Sequence, residues 1–467
     1  MIVHKFGGTS LGDARCFARV ADIVSGCKSH GATLLVVSAM SGVTNQLIAG
    51  ARAAADGDNA VYRDVRANLL SRHLQVIETA LSNETERAEA RRWVEGRLYD
   101  LETLCGSISV LGELTVRGAD AVCSFGEQLS SFILAAVLRD RGIPAQRVSA
   151  TELIVTDDAF GRATPLPGPT ERRLKERIVP LLERGIIPIL TGYVAATEQG
   201  VTTTLGRGGS DYSAALVGAG LGAEQVWIWS DVNGILTADP SIVPEATTIS
   251  ELSYQEAAEL AYFGAEVLHP KTIRPLIEKQ IPLRLLNTFN PEHPGTLIVP
   301  CPRSERRRLP AIISSRGLTM IAVGTLDDSW TPRMSAWALE LLSDSGLEVR
   351  MFSQSFSEHS LNLVVAEQNQ AHSIGRLRRE FADEKTYSLG CREKVAIVST
   401  VGVPQWNGGH IVSHVFAALG KAGTRVIAIA QAATEYSVSF CIPEEQLEST
   451  VRFLHSELGL GQSRTEH

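Results

Sequence analysis

Short apolar runs that end in glycine or hydroxyl residues alternate with segments that place apolar residues every third or fourth position. This pattern covers roughly the first 300 residues. The runs at 2–5, 33–38, 187–191, 225–230 and 282–286 read as strands. The spacing of Phe17, Val20, Ala21, Ile23 and Val24 reads as a helix after the first of them. Alternation of this kind predicts an α/β sandwich, whose ligands gather at the carboxyl ends of the strands. Residues 59–106 are polar, charged and helical in pattern, with no glycine between Gly57 and Gly96. They are expected to form a helical hairpin inserted on the sheet domain. The charge run at 84–92 reads as its solvated face. Pro291, Pro294 and Gly295 close this first domain, set at 1–298. Residues 299–316, which include the arginine-rich stretch 300–308, are expected to be a linker or an exposed strand edge.

The last third repeats itself. Ser353-Gln354-Ser355-Phe356-Ser357-Glu358-His359-Ser360 matches Ala430-Gln431-Ala432-Ala433-Thr434-Glu435-Tyr436-Ser437, 77 residues on. At the same offset Leu342 matches Leu419, Gly346 matches Gly423 and Val349 matches Val426. Each copy reads helix, glycine, strand, turn, strand, and the copies are assigned to 317–390 and 391–467. Duplicated α+β units of this size commonly pair into one sheet. The duplication could be structural only. Gln354 and Gln431, at equivalent turns among hydroxyl neighbours, read as a pair of sites for a small polar ligand.

Composition narrows the function classes. The chain has 467 residues, 44% hydrophobic and 21% charged, which suits several packed domains. A net charge of −8 argues against general binding to nucleic acid or membrane surfaces. An anionic substrate then needs locally placed cations. The seven cysteines are scattered, with no metal-ligand spacing, so neither a metal site nor a disulfide framework is expected. No signal peptide is read ahead of the first strand, and no apolar run is read as reaching the ~18 residues that span a bilayer. The expected location is a reducing cytoplasm.

Chemistry concentrates in five stretches. In Lys5-Phe6-Gly7-Gly8-Thr9-Ser10, paired glycines between a strand and a helix let the backbone approach a ligand. The amide N–H groups of the helix start attract anions, above all phosphate. Lys5 adds a charge and Ser10 a hydroxyl. A plain Gly-Gly turn is the alternative, and the spacing fits neither a Walker A loop nor the dinucleotide fingerprint. In Thr202-Thr203-Thr204-Leu205-Gly206-Arg207-Gly208-Gly209-Ser210-Asp211, a guanidinium between glycines can grip a carboxylate with two parallel bonds. Asp211 could take an ammonium, or could simply suit the helix dipole, as Ser210 could simply cap. Ser124-Phe125-Gly126-Glu127-Gln128-Leu129 reads as a helix opening, with Glu127 either functional or a helix-start acid. A hydroxyl-rich turn carries Ser38 and Thr44 after the second strand. Finally, Trp229-Ser230-Asp231-Val232-Asn233-Gly234-Ile235-Leu236-Thr237-Ala238-Asp239-Pro240 holds a Ser-Asp pair at a strand end and two turn signals. The cluster Gly218-Ala219-Gly220-Leu221-Gly222 follows a helix and reads as its end.

Lys5–Ser10, Thr203–Asp211 and Trp229–Pro240, together with Phe263-Gly264-Ala265-Glu266-Val267-Leu268-His269-Pro270, resemble the aspartokinase signatures in order and spacing. The C-terminal repeat resembles the paired ACT domains of those enzymes. The chain looks like a monofunctional member, without room for a dehydrogenase, although its repeats are closest in style to those of the fused aspartokinase–homoserine dehydrogenases. The resemblance implies an amino-acid-kinase αβα sandwich followed by two βαββαβ-type ACT domains. It implies transfer of the ATP γ-phosphoryl group to the side-chain carboxylate of L-aspartate, the entry to lysine, threonine and methionine. By resemblance, Lys5, Gly7, Gly8 and Ser10 hold the phosphates. Arg207, with Ser38, Thr44 and Ser210, binds aspartate. Glu127 and Asp211 position Lys5 or the substrate ammonium, and with Lys5 form the catalytic set. Ser230, Asp231 and Leu236 flank the nucleotide. Mg²⁺ arrives with ATP, held by phosphate oxygens and water, with no protein cage expected.

Two positions depart from the family pattern. Ser241 stands where many members have arginine, and Glu266 where many have lysine. Glu266 brings like charge toward the phosphates and bears on ATP affinity, with Lys271 a possible substitute donor. Gln354 and Gln431 match the threonine-sensing pattern more closely than the lysine-sensing one. Feedback inhibition is therefore expected at the repeats, with a homodimer or dimer of dimers formed through the ACT units. The alternatives are another amino-acid kinase of the same fold, acting on glutamate or N-acetylglutamate, and a catalytically weak amino-acid-sensing regulatory subunit.

Overall fold

The computed structural model describes residues 1–27, 31–262, 268, 270–300, 302, 310–327, 329–355, 359–382, 386–402, 405–406, 409–431, 433 and 435–461. The chain divides into two compact units. The first comprises Met1–Ile235, Ser250–Tyr254 and Val267–Pro302, and the second comprises Leu236–Ile249, Gln255–Glu266 and Arg303–His467.

Up to residue 302 the elements are β1 (Ile2–Phe6), α1 (Ala14–Gly26), β2 (Thr33–Val37), α2 (Val43–Ala55), α3 (Asn59–Ala80), α4 (Glu84–Leu111), α5 (Val116–Asp140), β3 (Ala145–Val148), β4 (Val155–Thr156), α6 (Pro167–Glu183), β5 (Ile187–Thr191), β6 (Val194–Thr197), β7 (Thr202–Thr204), α7 (Gly209–Leu221), β8 (Gln225–Ser230), β9 (Glu251–Ser253), α8 (Tyr254–Tyr262), α9 (Pro270–Lys279), β10 (Leu283–Asn287) and β11 (Thr296–Val299). All five strands read from the sequence form, each within one residue of its expected bounds. The main sheet of the first unit runs β3-β5-β2-β1-β8-β10-β11-β9. Its middle is parallel: β1 pairs with β2 and β8, β5 with β2, and β10 with β8. Every residue of β1 and β2 is buried, because a parallel strand between two helical layers has no solvent face.

The inserted hairpin is α3 and α4, and α4 continues past the expected end at 106 to Leu111. Gly96 and Gly106 lie inside that helix, and its stop is Gly112, left-handed at φ 67°. Leu69, Val94, Leu98 and Leu101 carry the hairpin into the main core. A second correction concerns α5. It starts at Val116, capped by the Thr115 hydroxyl, so Glu127 sits mid-helix and is no helix-start acid. This helix is long and apolar enough to cross a membrane by composition, against the sequence expectation, but 83% of its most apolar window is buried inside the protein. It is the core helix of the first unit. The cluster at 218–222 does end α7, with Gly222 left-handed at φ 63°.

The second unit contains β12 (Ala311–Thr325), α10 (Pro332–Asp344), β13 (Val349–Ser355), β14 (Ser360–Ala366), α11 (Gln370–Glu380), β15 (Tyr387–Val401), β16 (Gln405–Trp406), β17 (Gly409–His410), α12 (Ile411–Ala422), β18 (Ala428–Gln431), β19 (Ser437–Pro443) and α13 (Leu447–Glu457). One six-stranded sheet runs β13-β14-β12-β15-β19-β18. The repeat is exact in the backbone at its best-matched elements: β14 and β19, and α11 and α13, begin and end 77 residues apart. Gly346 and Gly423 are both left-handed, at φ 68° and 64°. So are Gly317 and Lys394, at φ 68° and 53°. Leu318 pairs with Val395, its own repeat equivalent, so a local twofold passes through that pair.

The strand β12 begins at Ala311, inside the span expected to be linker, and β15 runs across the expected boundary at 390/391. Residues 314–316 and 392–394 are polar or charged. In the fold they are irregularities within two long central strands, where the pairing shifts between Ser315 and Leu318. Each repeat is therefore strand-helix-strand-strand-helix. Most of the arginine-rich stretch 300–308 lies outside the described residues.

Candidate active site

The expected site residues of the first unit gather at the carboxyl ends of β1, β2, β5 and β8. At the end of β1, the Lys5 ammonium forms an ion pair with Asp211 Oδ1 at 2.5 Å, and both side chains are largely buried. Asp211 is held there by the first turn of α7, which starts after the left-handed Gly208, φ 66°. Gly7 donates its N–H to the Trp229 carbonyl at 3.2 Å, and a Cβ on Gly7 would lie 3.4 Å from Lys5 Nζ. A Cβ on Gly8 would lie 3.0 Å from the Ala39 carbonyl oxygen, tighter than the turns allow without yielding. Ser10 is fully buried and shares a 2.7 Å hydrogen bond with Thr288 Oγ1, beyond the end of β10. That bond ties the turn after β1 to the end of β10.

Ser38 and Ala39 turn away from β2, and Thr44 lies in the first turn of α2 behind the left-handed Gly42, φ 77°. α5 closes on this turn. A Cβ on Gly126 would lie 2.6 Å from Ala39 Cβ, so only glycine permits the approach. Ser130 Oγ donates to the Ser38 carbonyl at 2.6 Å, and the Ala39 N–H donates to the Glu127 carboxyl. Glu127 is 3% exposed, and its Oε2 has no hydrogen-bond partner among the described residues. Burial pushes its pKa up to about 8 against the Ala39 hydrogen bond, so near neutrality the group is held protonated.

Arg207 is exposed on its loop, between Gly206 at φ 75° and Gly208. Ser210 packs on the end of β5: a Cβ on Gly192 would lie 2.8 Å from Ser210 Cβ. Tyr193 follows in the left-handed region at φ 65°, with its N–H bonded to Ser213 Oγ at 3.0 Å. Burial pushes the Tyr193 phenol up to about 12. The sequence reading passed over Asp120, which is 3% exposed on α5 and accepts three hydrogen bonds from Thr204 and Gly161. Burial raises its pKa against those donors. The one available signal was a polar spacing of four and three residues, Asp120, Ser124, Glu127, along an otherwise apolar helix.

Ser230 ends β8, its carbonyl accepting from Thr288 N–H at 2.9 Å, and Asp231 is exposed just beyond. Asn233 Oδ1 accepts from Asn287 Nδ2 at 2.8 Å, which ties this turn to the end of β10. Leu236 and Ser241 belong to the second unit. Ser241 donates both N–H and Oγ to Asp239 Oδ1, closing a local turn. Glu266 lies outside the described residues, and Lys271 is exposed on α9. No group of three or more His, Cys, Asp or Glu side chains among the described residues is arranged to hold a metal ion.

In the second unit Gln354 lies near the end of β13 and Gln431 ends β18, the two outer strands of the sheet. Gln431 is exposed, while Gln354 Nε2 is buried without a hydrogen-bond partner among the described residues.

The amino acid kinase family model matches residues 1–287, and an ACT domain model matches residues 398–458. The chain belongs to the amino acid kinase family and, within it, to the aspartokinases. Aspartokinase 1, chloroplastic, of Arabidopsis thaliana is 32% identical over 97% of this chain and 79% of its own length. The bifunctional aspartokinase/homoserine dehydrogenase 2, chloroplastic, of Zea mays is 33% identical over 99% of this chain and 51% of its own. The chain thus spans about half the length of the bifunctional relatives it matches. Among solved structures, E. coli aspartokinase III in complex with aspartate and ADP superposes with a TM-score of 0.81 at 28% identity, over 98% of this chain and 100% of that one. The same enzyme in complex with lysine and aspartate gives 0.81 at 29%, over 98% and 99%.

Proposed function

We propose that the chain is an aspartate kinase, moving the γ-phosphoryl group of ATP to the side-chain carboxylate of L-aspartate to give 4-phospho-L-aspartate. The observation that carries this reading is the Lys5–Asp211 ion pair, set beside the Gly7-Gly8 turn at the sheet's carboxyl edge. Both substrates are anions, so the task is to align them and neutralise charge as phosphoryl transfers. Lys5 supplies the cation and Asp211 fixes its position. The bare backbone of Gly7 and Gly8 leaves room for phosphate oxygens. Ser10 supports the turn from beneath, bonded to Thr288, and Ser230 and Asp231 border the nucleotide. The exposed Arg207 pairs with the α-carboxylate, and Ser38, Thr44 and Ser210 supply hydroxyl donors. Glu127, neutral when the site is empty, ionises when the substrate ammonium arrives. The aspartate and ADP bound by E. coli aspartokinase III support this choice of substrates.

Mg²⁺ enters with ATP, because the described residues offer no carboxylate cage and this ion keeps phosphate and water ligands readily. Bound so, it would neutralise charge on the phosphates. The second unit is the sensor. Threonine, with lysine as the alternative, binds at Gln354 and Gln431 and favours an inactive state by differential affinity. Assembly is as a homodimer or a dimer of dimers through the ACT units, in the cytoplasm. The test of the activity is ATP-dependent formation of an acyl phosphate trapped as hydroxamate, with aspartate, glutamate and N-acetylglutamate compared. Turnover with aspartate alone supports the reading. Preference for either of the others overturns it.

A further inference from the structure

Asp120 sits one side of a buried polar line on α5 and touches two loops at once. Its Oδ1 accepts from Thr204 Oγ1 at 2.6 Å, and its Oδ2 accepts from Thr204 N–H at 3.1 Å and Gly161 N–H at 2.8 Å. Thr204 leads through Leu205 and Gly206 to Arg207. Gly161 precedes Arg162, which is exposed as Arg207 is. The two loops lie against each other: a Cβ on Gly206 would be 3.3 Å from the Gly161 carbonyl oxygen and 3.7 Å from Arg162 Cα. Ala163 N–H donates to the Thr204 carbonyl at 2.9 Å, and Thr156 and Thr203 hydroxyls meet at 2.7 Å behind them.

We propose that Asp120 is a positioning residue that clamps the Gly161–Arg162 and Thr204–Arg207 loops together, so that their two guanidiniums face one dicarboxylate substrate. The inference rests on the aspartate kinase reading and deepens it. A buried carboxylate with three donors from two loops is costly to desolvate, and it returns that cost as fixed geometry. Arg207 is flanked by glycines that leave its own backbone free to wander, so its aim must come from elsewhere. Glu127, two turns along the same face of α5, meets the Ser38–Ala39 turn. One helix therefore sets both the carboxylate grip and the acidic group that faces the ammonium.

The experiment compares wild type with Asp120→Ala, Asp120→Asn and Thr204→Val in full kinetics against both substrates, with calorimetric titration of aspartate. Asp120→Ala is expected to raise KM for aspartate at least tenfold and leave KM for ATP within twofold. Thr204→Val, which loses one of the three bonds, should fall between. Asp120→Asn should recover part of the loss through its remaining acceptor oxygen. Asp120→Asn and Thr204→Val preserve the test if the alanine variant fails to fold. Equal changes in the two KM values, or lost thermal stability with an unchanged KM for aspartate, would overturn the inference while the kinase reading stands. A wild type that neither binds nor turns over aspartate would overturn both.

Discussion

Glu127 is a buried acid whose pKa lies near 8, and its titration reaches both stability and binding. In the unfolded chain the group ionises near its ordinary 4.5. In the folded protein it stays protonated until about pH 8, so the native state holds the extra proton between those values. Stability from this site is thus complete below about pH 4.5, falls as pH rises toward 8 and levels off above. For a group 3% exposed the span is on the order of a few kcal/mol. Glu127→Gln should remove that slope, which urea unfolding at pH 5, 6.5 and 8 would read. Parallel pH profiles for wild type and variant would contradict the placement. Ionisation on arrival of the ammonium also requires that aspartate binding release a proton below pH 8. The calorimetric enthalpy should then shift between buffers of different ionisation enthalpy. Lys5, Gly7, Gly8, Arg207 and Asp211 could be picked out as candidates from sequence because their chemistry sits beside glycines near strand ends. Asp120 could not, since an acid within an apolar helix shows its partners only when two distant loops fold onto it.

At the scale of elements, strands were easier to read than helix ends. The five candidate strands are short apolar runs closed by polar turns, and the fold keeps them almost unchanged. The start of α5 was expected at Ser124 but lies at Val116, in a stretch where Gly118 and Gly126 weaken the helical signal. Gly126 is there for space, with Ala39 pressed against it. Gly126→Ala sets two effects against each other. Alanine should gain about 1 kcal/mol of helix propensity. A Cβ 2.6 Å from Ala39 Cβ forces the helix or the Ser38 turn to move, at about 1–3 kcal/mol. The clash wins, because the opposing atom is fixed to backbone. The urea midpoint should fall and KM for aspartate should rise, since the displaced turn carries Ser38. A raised midpoint would show that the turn yields freely. The long central strands β12 and β15 were hidden for a related reason: their polar middles are pairing irregularities around Gly317 and Lys394, indistinguishable from linker in one sequence.

For the whole molecule, the repeat was the most legible feature, since an offset of 77 residues seen in side chains reappears in β14 and β19 and in α11 and α13. Less visible was the division of the chain. Residues Leu236–Ile249 lie between β8 and β9 in sequence yet belong to the second unit, where Ala238, Ile242 and Val243 join the core with Val438 and Phe440. His455, buried on α13, shares a 3.0 Å hydrogen bond with Thr237. The segment that follows Ser230 and Asp231 in sequence is thus built into the core of the second unit. Gln431→Ala should relieve threonine inhibition, raising the half-inhibitory concentration at least tenfold with uninhibited turnover retained. Unchanged inhibition in that variant would remove Gln431 from the effector site. The most direct measurement is ATP- and Mg²⁺-dependent aspartyl hydroxamate formation, titrated separately with threonine and lysine. Turnover with aspartate, suppressed by threonine, is the predicted result. Absence of turnover at saturating ATP would contradict it and leave an amino-acid sensor in its place, with Ser241 and Glu266 the first positions to revert.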